Sequence, residues 1–396
     1  MSVKTHVAEV TRDLYVLRVD DEKIRYFEAL WEIPERISYN AYLLLKGDHV
    51  VLFDGWKSSY STLLLESIEK IVSPRDITEV VVHHLEPDHS GSIPALLRVN
   101  EKAVFMGHPL AGKMLSSFYG VSRFKPIPDN SPLDLGAKAR FIHIPWLHWP
   151  ETSATFLEEE GVLLTCDAFG SYSLPPLFDD NADLAALEQA ITKYFVTVIG
   201  HYAPFVGRAL RKMEELSISP RVIAPGHGTI WRRNINWVLS LYARLSSDQL
   251  GNRVTITYVT MYGGTEPAVE AVKQALREKG VEVAVYRFSD ETRDSIAEAL
   301  ASMAQSRLVV LGAATYESDA QPLMRFLVDL IGEKLSYRKN LPFLVLSPYG
   351  WGGVAGKKIA ERLRSYGFTA VEFVEWEGRF TDQVAGRIRD SLSKLT

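Results

Sequence analysis

A chain of 396 residues has room for two to three domains at roughly 150 residues each. Its 46% hydrophobic and 23% charged content is that of an ordinary globular protein, and no apolar run reaches the roughly 18 residues of a membrane span. A net charge of −5 gives no basic surface for a phosphate backbone, which excludes nucleic acid as a main partner, and a single cysteine, Cys166, excludes an internal disulfide or a four-cysteine iron site. The start MSVKTHVAEVTRD has no apolar signal core, so the expected compartment is the reducing cytoplasm.

In chain order, the first half reads as short strands broken by turns: LYVLRV (14–19), AYLLLKGDHVVLFD (41–54), EVVVHHL (79–85), AVFMG (103–107), RFIHIP (140–145) and GVLLTCDA (161–168). Such runs, rich in β-branched residues and bounded by Gly, Asp or Pro, are strand signals. Residues 59–71 and, in pieces, 183–213 carry a helical apolar period. After Gly251 the pattern becomes regular. Strands are predicted at 254–259, 281–288, 307–312, 343–347 and 370–376, alternating with helices near 265–279, 291–304, 319–335, 353–366 and 381–394. Near-continuous apolar strands alternating with helices describe a doubly wound parallel sheet covered on both faces. The polar run SSDQLGNR separates the two patterns, giving expected domains of 1–250 and 251–396.

Eight of the ten histidines fall between His83 and His227. The run His83-His84-Leu85-Glu86-Pro87-Asp88-His89 places four ligand-type side chains just beyond a strand. Alternate positions on an extended backbone share a face, so His84, Glu86 and Asp88 are expected to converge, with His89 following where the chain turns toward a helix. His148, Asp167 and His227 lie downstream, each beside Pro, Gly or a loop. Four imidazoles and three carboxylates exceed the need of one tetrahedral ion and suit two first-row metals sharing a carboxylate. His83 is expected to face away as a structural residue. His108, His143 and His201 read as core or surface histidines. Cys166 is expected to face away from Asp167 as a small buried apolar residue.

In the second half, the strand VTITYV runs into Thr260-Met261-Tyr262-Gly263-Gly264-Thr265 and then a helix. A hydroxyl- and Gly-rich loop closing on a helix N-terminus is an anion site, and the absence of G-K-[ST] and G-x-G-x-x-G favours one monophosphate, as in FMN. Two further loops follow later strands, where doubly wound sheets bind ligands: Ala313-Ala314-Thr315-Tyr316 and Ser347-Pro348-Tyr349-Gly350-Trp351-Gly352-Gly353.

The pattern H-x-E-x-D-H at 84–89, followed by His148, Asp167 and His227, resembles that of flavodiiron proteins over the whole chain and in the right domain order. The loop at 260–265 resembles the flavodoxin phosphate loop, and the two later loops resemble those flanking its isoalloxazine ring, although Ala313-Ala314 and Glu317 depart from the commoner wording. The resemblance implies a metallo-β-lactamase-like αβ/βα domain followed by a flavodoxin-like domain. It implies one iron held by His84, Glu86 and His148 and another by Asp88, His89 and His227, with Asp167 bridging. No catalytic residue beyond these ligands is nominated; Tyr194 and Trp351 are aromatic neighbours to consider. The expected activity is electron transfer through FMN to the two iron ions, with reduction of dioxygen to water or nitric oxide to nitrous oxide. The external donor could be a rubredoxin, another flavoprotein or a reduced deazaflavin. A head-to-tail homodimer, or a tetramer built from it, is expected. Two alternatives stand beside this: a binuclear metal hydrolase with an appended flavin module, for which Glu86 is the wrong residue since such hydrolases place His there, and a flavodoxin-like electron carrier with a degenerate first half.

Overall fold

The computed structural model describes residues 3–395. The chain forms two compact units. One runs up to Tyr194 and includes Pro204–Ala243; the other comprises Phe195–Ala203 and the chain from Arg244 onward. The sequence-based division at 250/251 therefore differs in two places. The helical run at 183–213 is not one body's property, and the final division falls after Ala243 rather than in the polar run.

The first unit is a sandwich of two sheets. One has seven strands in the order Lys4–Thr11, Leu14–Asp21, Ile37–Lys46, His49–Phe53, Glu79–Val82, Val104–Gly107 and Phe124–Pro126. Its first four strands pair antiparallel and the rest parallel. The predicted run 41–54 is thus two strands joined at Gly47, whose φ of 60° suits only a tight turn. The second sheet orders Ser131–Asp134, Lys138–His143, Ser153–Leu157, Val162–Cys166 and Val222–Pro225, the last pair parallel.

Strand alternation builds the core. Val16, Leu44, Val51, Phe53 and Val81 from one sheet pack against Phe141, Leu157, Leu164 and Ala224 from the other. The opposite parity, Leu52, Val80 and Val82, turns outward onto helices Ser61–Glu69 and Ile93–Val99 through Leu64, Ile68 and Leu96. Helix Ala203–Glu215 packs Val206, Ala209 and Met213 on the outer face of the second sheet. Helices outside two sheets give the expected αβ/βα architecture.

The second unit is a five-stranded parallel sheet in the order Val283–Phe288, Arg253–Val259, Ser306–Gly312, Phe343–Tyr349 and Val371–Glu377. This 2-1-3-4-5 order is the flavodoxin-like one, and its reversal beside the first strand opens a cleft at the carboxyl edge. Val254, Ile256, Leu308, Val310 and Leu344 meet Val269, Val272 and Leu276 of helix Glu266–Arg277 and Ile388 and Leu392 of helix Asp382–Leu395. Phe195–Ala203 belongs here: Gly200 lies against the Lys334 carbonyl and the His201 Nδ1 donates to the Glu333 carbonyl at 3.0 Å. No helix among the described residues is long and apolar enough to cross a membrane.

Candidate metal centre and flavin cleft

In the first unit, His84, Glu86, His148 and Asp167 bring one potential ligand atom each within 4.8 Å of one another, and Asp88, His89 and His227 do the same. The extended backbone that would have aligned His84, Glu86 and Asp88 ends at Val82; Pro87–Ser90 is a helical turn opened by proline. That turn swings Asp88 and His89 away from Glu86 and assigns them to the second group. This corrects the simple alternation expected from the sequence.

Asp167 stands between the groups. Its Oδ2 lies 3.3 Å from Nε2 of His84 and 3.3 Å from Nε2 of His148, while its Oδ1 lies 2.9 Å from His89 Nε2 and 3.0 Å from His227 Nε2. Glu86 Oε2 approaches His148 Nε2 at 2.8 Å and His84 Nε2 at 3.4 Å. Asp88 Oδ2 sits 3.7 and 3.6 Å from the Nε2 atoms of His89 and His227. All seven are buried except Glu86, which is partly open.

Several of these atoms converge without hydrogen bonding. Both oxygens of Asp88, Oδ2 of Asp167 and Nε2 of His148 are buried and have no hydrogen-bond partner. Orphaned buried polar atoms are costly, at about 1–3 kcal/mol each, unless something else coordinates them. A donor set of imidazole and carboxylate aimed at two centres fits two divalent first-row ions, and the open flank at Glu86 leaves room for a small ligand.

The charges agree. With protons as the only competitors, burial disfavours the imidazolium of His84, but Asp167, Glu151 and Glu86 outweigh it and lift the ring to about 9. His89 rises to about 10 on the same balance of burial against Asp88 and Asp167, and His148 to about 10 against Asp167 and Glu86. Asp167 is held well below the usual carboxylate range: burial opposes ionisation, and His89 and His84 overcome it. Asp88 moves up, through burial and then the neighbouring Glu86 and Asp167 charges.

Residues that the sequence pattern did not single out hold the ligands in place. His227 Nδ1 donates to the Ser38 carbonyl at 2.8 Å, which leaves Nε2 a lone pair facing the pocket. Asn40 Nδ2 donates to the carbonyls of Pro225 and Gly228, and the Tyr42 hydroxyl to that of Pro225, clamping the loop that carries His227. The available signal was Ser38 and Asn40 themselves, polar residues inside the otherwise apolar strand Ile37–Lys46. Asp54 accepts from both the backbone N–H and Nδ1 of His83, at 2.8 and 2.7 Å, and Thr155 Oγ1 lies 2.8 Å from His83 Nε2. His83 is thus a structural histidine facing away from the pocket, as expected. The Tyr194 hydroxyl donates to Asp167 Oδ1 at 3.0 Å, and the rings of Phe27, Tyr39 and Tyr194 stand edge-on around His227.

Cys166 is buried, as expected, but it does not face away from Asp167. Its φ of 50° breaks the strand alternation and brings its sulfur within 4.8 Å of ligand atoms of His89 and Asp167. Burial pushes its thiol well up, so it stays neutral.

The flavin-loop candidates of the second unit gather at the carboxyl edge of its sheet. Thr260–Thr265 connects strand Arg253–Val259 to helix Glu266–Arg277, with Tyr262 and Gly263 at φ of 57° and 78°. Thr260 Oγ1 and Ser347 Oγ are buried and lack hydrogen-bond partners, whereas Tyr262 and Trp351 stand 99% and 71% exposed. Buried hydroxyls without partners and exposed aromatics in neighbouring loops fit a phosphorylated, flat, aromatic cofactor. Met261, Gly264, Ala314 and Tyr316 lie in the same loops, but Ala313 is fully buried and offers no side chain to the cleft. Ser347 and Tyr349 lie on the strand rather than beyond it, and Gly350, Gly352 and Gly353 form the turn. Thr315 Oγ1 accepts from the N–H groups of Val354 and Ala355 at 3.2 and 3.3 Å, tying the two later loops together.

Comparison with known proteins adds the following. Residues 37–228 match the family model for ODP family beta lactamase, and residues 256–393 that for flavodoxin. The structure of a flavo di-iron protein variant from Thermotoga maritima is 36% identical with a TM-score of 0.93, each chain covered in full. A nitric oxide reductase from Moorella thermoacetica is 29% identical over 90% of this chain and 89% of its own. The rubredoxin oxygen:oxidoreductase of Desulfovibrio gigas, 23% identical, shares the fold with a TM-score of 0.93 over 98% of both chains.

Proposed function

Since the chain belongs to the flavodiiron protein family, we propose that it is an oxidoreductase passing electrons through FMN to a pair of non-heme iron ions and reducing dioxygen to water or nitric oxide to nitrous oxide. The observation that carries this is the meeting of six imidazole and carboxylate groups around a seventh, Asp167, in a chain that also matches the flavodoxin family. In this reading His84, Glu86 and His148 hold one ion, Asp88, His89 and His227 the other, and Asp167 offers one oxygen to each. Bound iron supplies the change of valence and FMN the supply of single electrons; the protein supplies position and electrostatics.

The residues' own contributions follow from the geometry. Tyr194 holds Asp167 through its hydroxyl and keeps that proton, since burial and the Asp167 charge push its pKa well above the ordinary value. Phe27, Tyr39 and Tyr194 wall the His227 side with rings, which excludes bulk water but not a small apolar gas. Glu86 is a harder, anionic donor where a hydrolytic zinc site has imidazole, which favours a redox metal and weighs against a hydrolase. Thr260, Thr265 and the start of helix Glu266–Arg277 receive the FMN phosphate, and Trp351 and Tyr316 flank its ring.

The test is anaerobic reduction of the purified protein followed by rapid mixing with each gas, with iron and FMN quantified beside it. Two iron ions, one FMN and gas-dependent reoxidation are expected. Two zinc ions and no reoxidation beyond that of free flavin refute the proposal. The protein works in the cytoplasm as a head-to-tail homodimer, in which the flavin of one chain serves the metal pair of the other. Mixing Glu86→Ala chains with Thr265→Ala chains tests this, since exchange into mixed dimers restores turnover only if electrons cross between chains. The donor is a rubredoxin, another flavoprotein or a reduced deazaflavin.

A further inference from the structure

The two halves of the metal centre are held differently by the groups behind them. His227 donates its Nδ1–H to a neutral backbone carbonyl, that of Ser38, and His89 Nδ1 is buried with no hydrogen-bond partner. His84 instead turns its Nδ1 toward a carboxylate: Glu151 Oε1, 3.0 Å away. Glu151 is 1% exposed, and the same oxygen accepts the Leu85 N–H at 3.0 Å, so two donors converge on one ionised atom between Val82 and the turn at Pro87. Thr152 Oγ1 lies 3.4 Å from the same His84 nitrogen, and the Ser153 hydroxyl donates to the Glu151 carbonyl. Glu151 also follows His148 by three residues, on the segment joining strands Lys138–His143 and Ser153–Leu157. One buried carboxylate therefore cross-links the segments carrying His84 and His148, both from the same group of four.

Resting on the metal-centre reading above, we propose that Glu151 is a positioning residue for one half of that centre only, and that it makes the ion held by His84, Glu86 and His148 the tighter bound of the two. A carboxylate accepting Nδ1–H fixes the tautomer that leaves Nε2 free and raises the donor strength of the ring; a neutral carbonyl does the first and much less of the second. Binding of one metal pair by two unlike halves follows.

The experiment uses the full-length protein with FMN in place, stripped of metal and titrated anaerobically with Co²⁺. Wild type is expected to take up two ions in distinguishable steps. Glu151→Gln keeps the size and an acceptor oxygen but removes the charge. It is expected to weaken the tighter step by about 10- to 100-fold, leave the other step and the FMN content unchanged, and shift one exchangeable, cobalt-shifted N–H proton resonance while sparing that of His227; weakening of the looser step alone overturns the inference. Should this variant fold poorly, Glu151→Asp, which keeps the charge on a shorter arm, is read the same way: selective loss supports the inference and even loss overturns it. A Gln variant with both steps intact, or both weakened alike, overturns it. Wild type that takes up no pair of ions overturns the metal-centre reading beneath it as well.

Discussion

Asp54 offers the sharpest test of how the fold holds its ligand-bearing strand. It is buried, sits at φ 56°, and accepts both the N–H and the Nδ1–H of His83, the residue before His84. Asp54→Ala leaves two buried N–H donors without partners, at about 1–3 kcal/mol each. It also places alanine in the left-handed region, at about 1–2 kcal/mol. The expected loss is about 3–8 kcal/mol, or on the order of 10–20 °C in the melting of the first unit at a few degrees per kcal/mol. Asp54→Asn behaves differently. Its carbonyl oxygen still accepts the backbone N–H, its NH₂ can donate to Nδ1 if His83 moves its proton to Nε2, where Thr155 Oγ1 can accept, and asparagine tolerates positive φ. Its expected cost is about 1 kcal/mol. Urea unfolding of the demetallated protein, with the two units followed separately, reads both values. An alanine variant within about 1 kcal/mol of the asparagine variant would refute the hydrogen-bond argument. Acidification provides a second check. Burial opposes the Asp54 charge, but His83 outweighs it and holds the carboxyl below its ordinary 3.8. The pair's contribution is thus complete above that value and fades as pH falls through the lower folded one, so wild type and Asp54→Asn converge in strong acid.

Other outcomes are expected together. In the demetallated protein, His84, His89 and His148 hold protons up to about 9, 10 and 10. Their folded values exceed the ordinary 6.5, so the stabilisation is full below that and lost as pH rises through 9–10; melting temperature falls across that window, and metal uptake at pH 7 releases protons to an indicator dye. Thr315→Val removes the acceptor for Val354 and Ala355 N–H and weakens FMN binding by roughly 5- to 10-fold, about the worth of one hydrogen bond, in a fluorescence titration; unchanged affinity means the loops hold without it. Gly332→Ala drives a methyl into the Tyr366 ring and lowers the stability of the second unit by about 1–3 kcal/mol, and Gly332→Ala with Tyr366→Leu recovers part of it. If the double variant is no better than the single, the collision is not the cause.

How much of this was legible in sequence depended on whether local pattern or long-range contact decided the matter. Apolar runs such as Val254–Val259 and Leu308–Gly312 announced the parallel sheet because strands buried on both faces have one composition. Asp167 and the six ligand-type residues around it stood out because carboxylates and imidazoles beside strand ends have few structural excuses. Glu151 gave no such sign, since its partner His84 is 67 positions away and a glutamate after proline reads as surface. The positive φ of Cys166 broke an alternation that its residue type does not interrupt, whereas Pro87 was a readable signal for the helical turn Pro87–Ser90. Phe195–Ala203 joined the second unit through contacts at Glu333 and Lys334, which no periodicity encodes.

That last segment limits how the protein can be taken apart. A gene fragment starting at residue 251 omits both Phe195–Ala203 and Arg244–Leu250, which belong to the flavodoxin-like body, and a fragment ending at 250 leaves them stranded on a partner they do not belong to. Modular exchange of flavin or metal bodies between relatives therefore has to carry this insert along with the half it serves, or accept a scar in both.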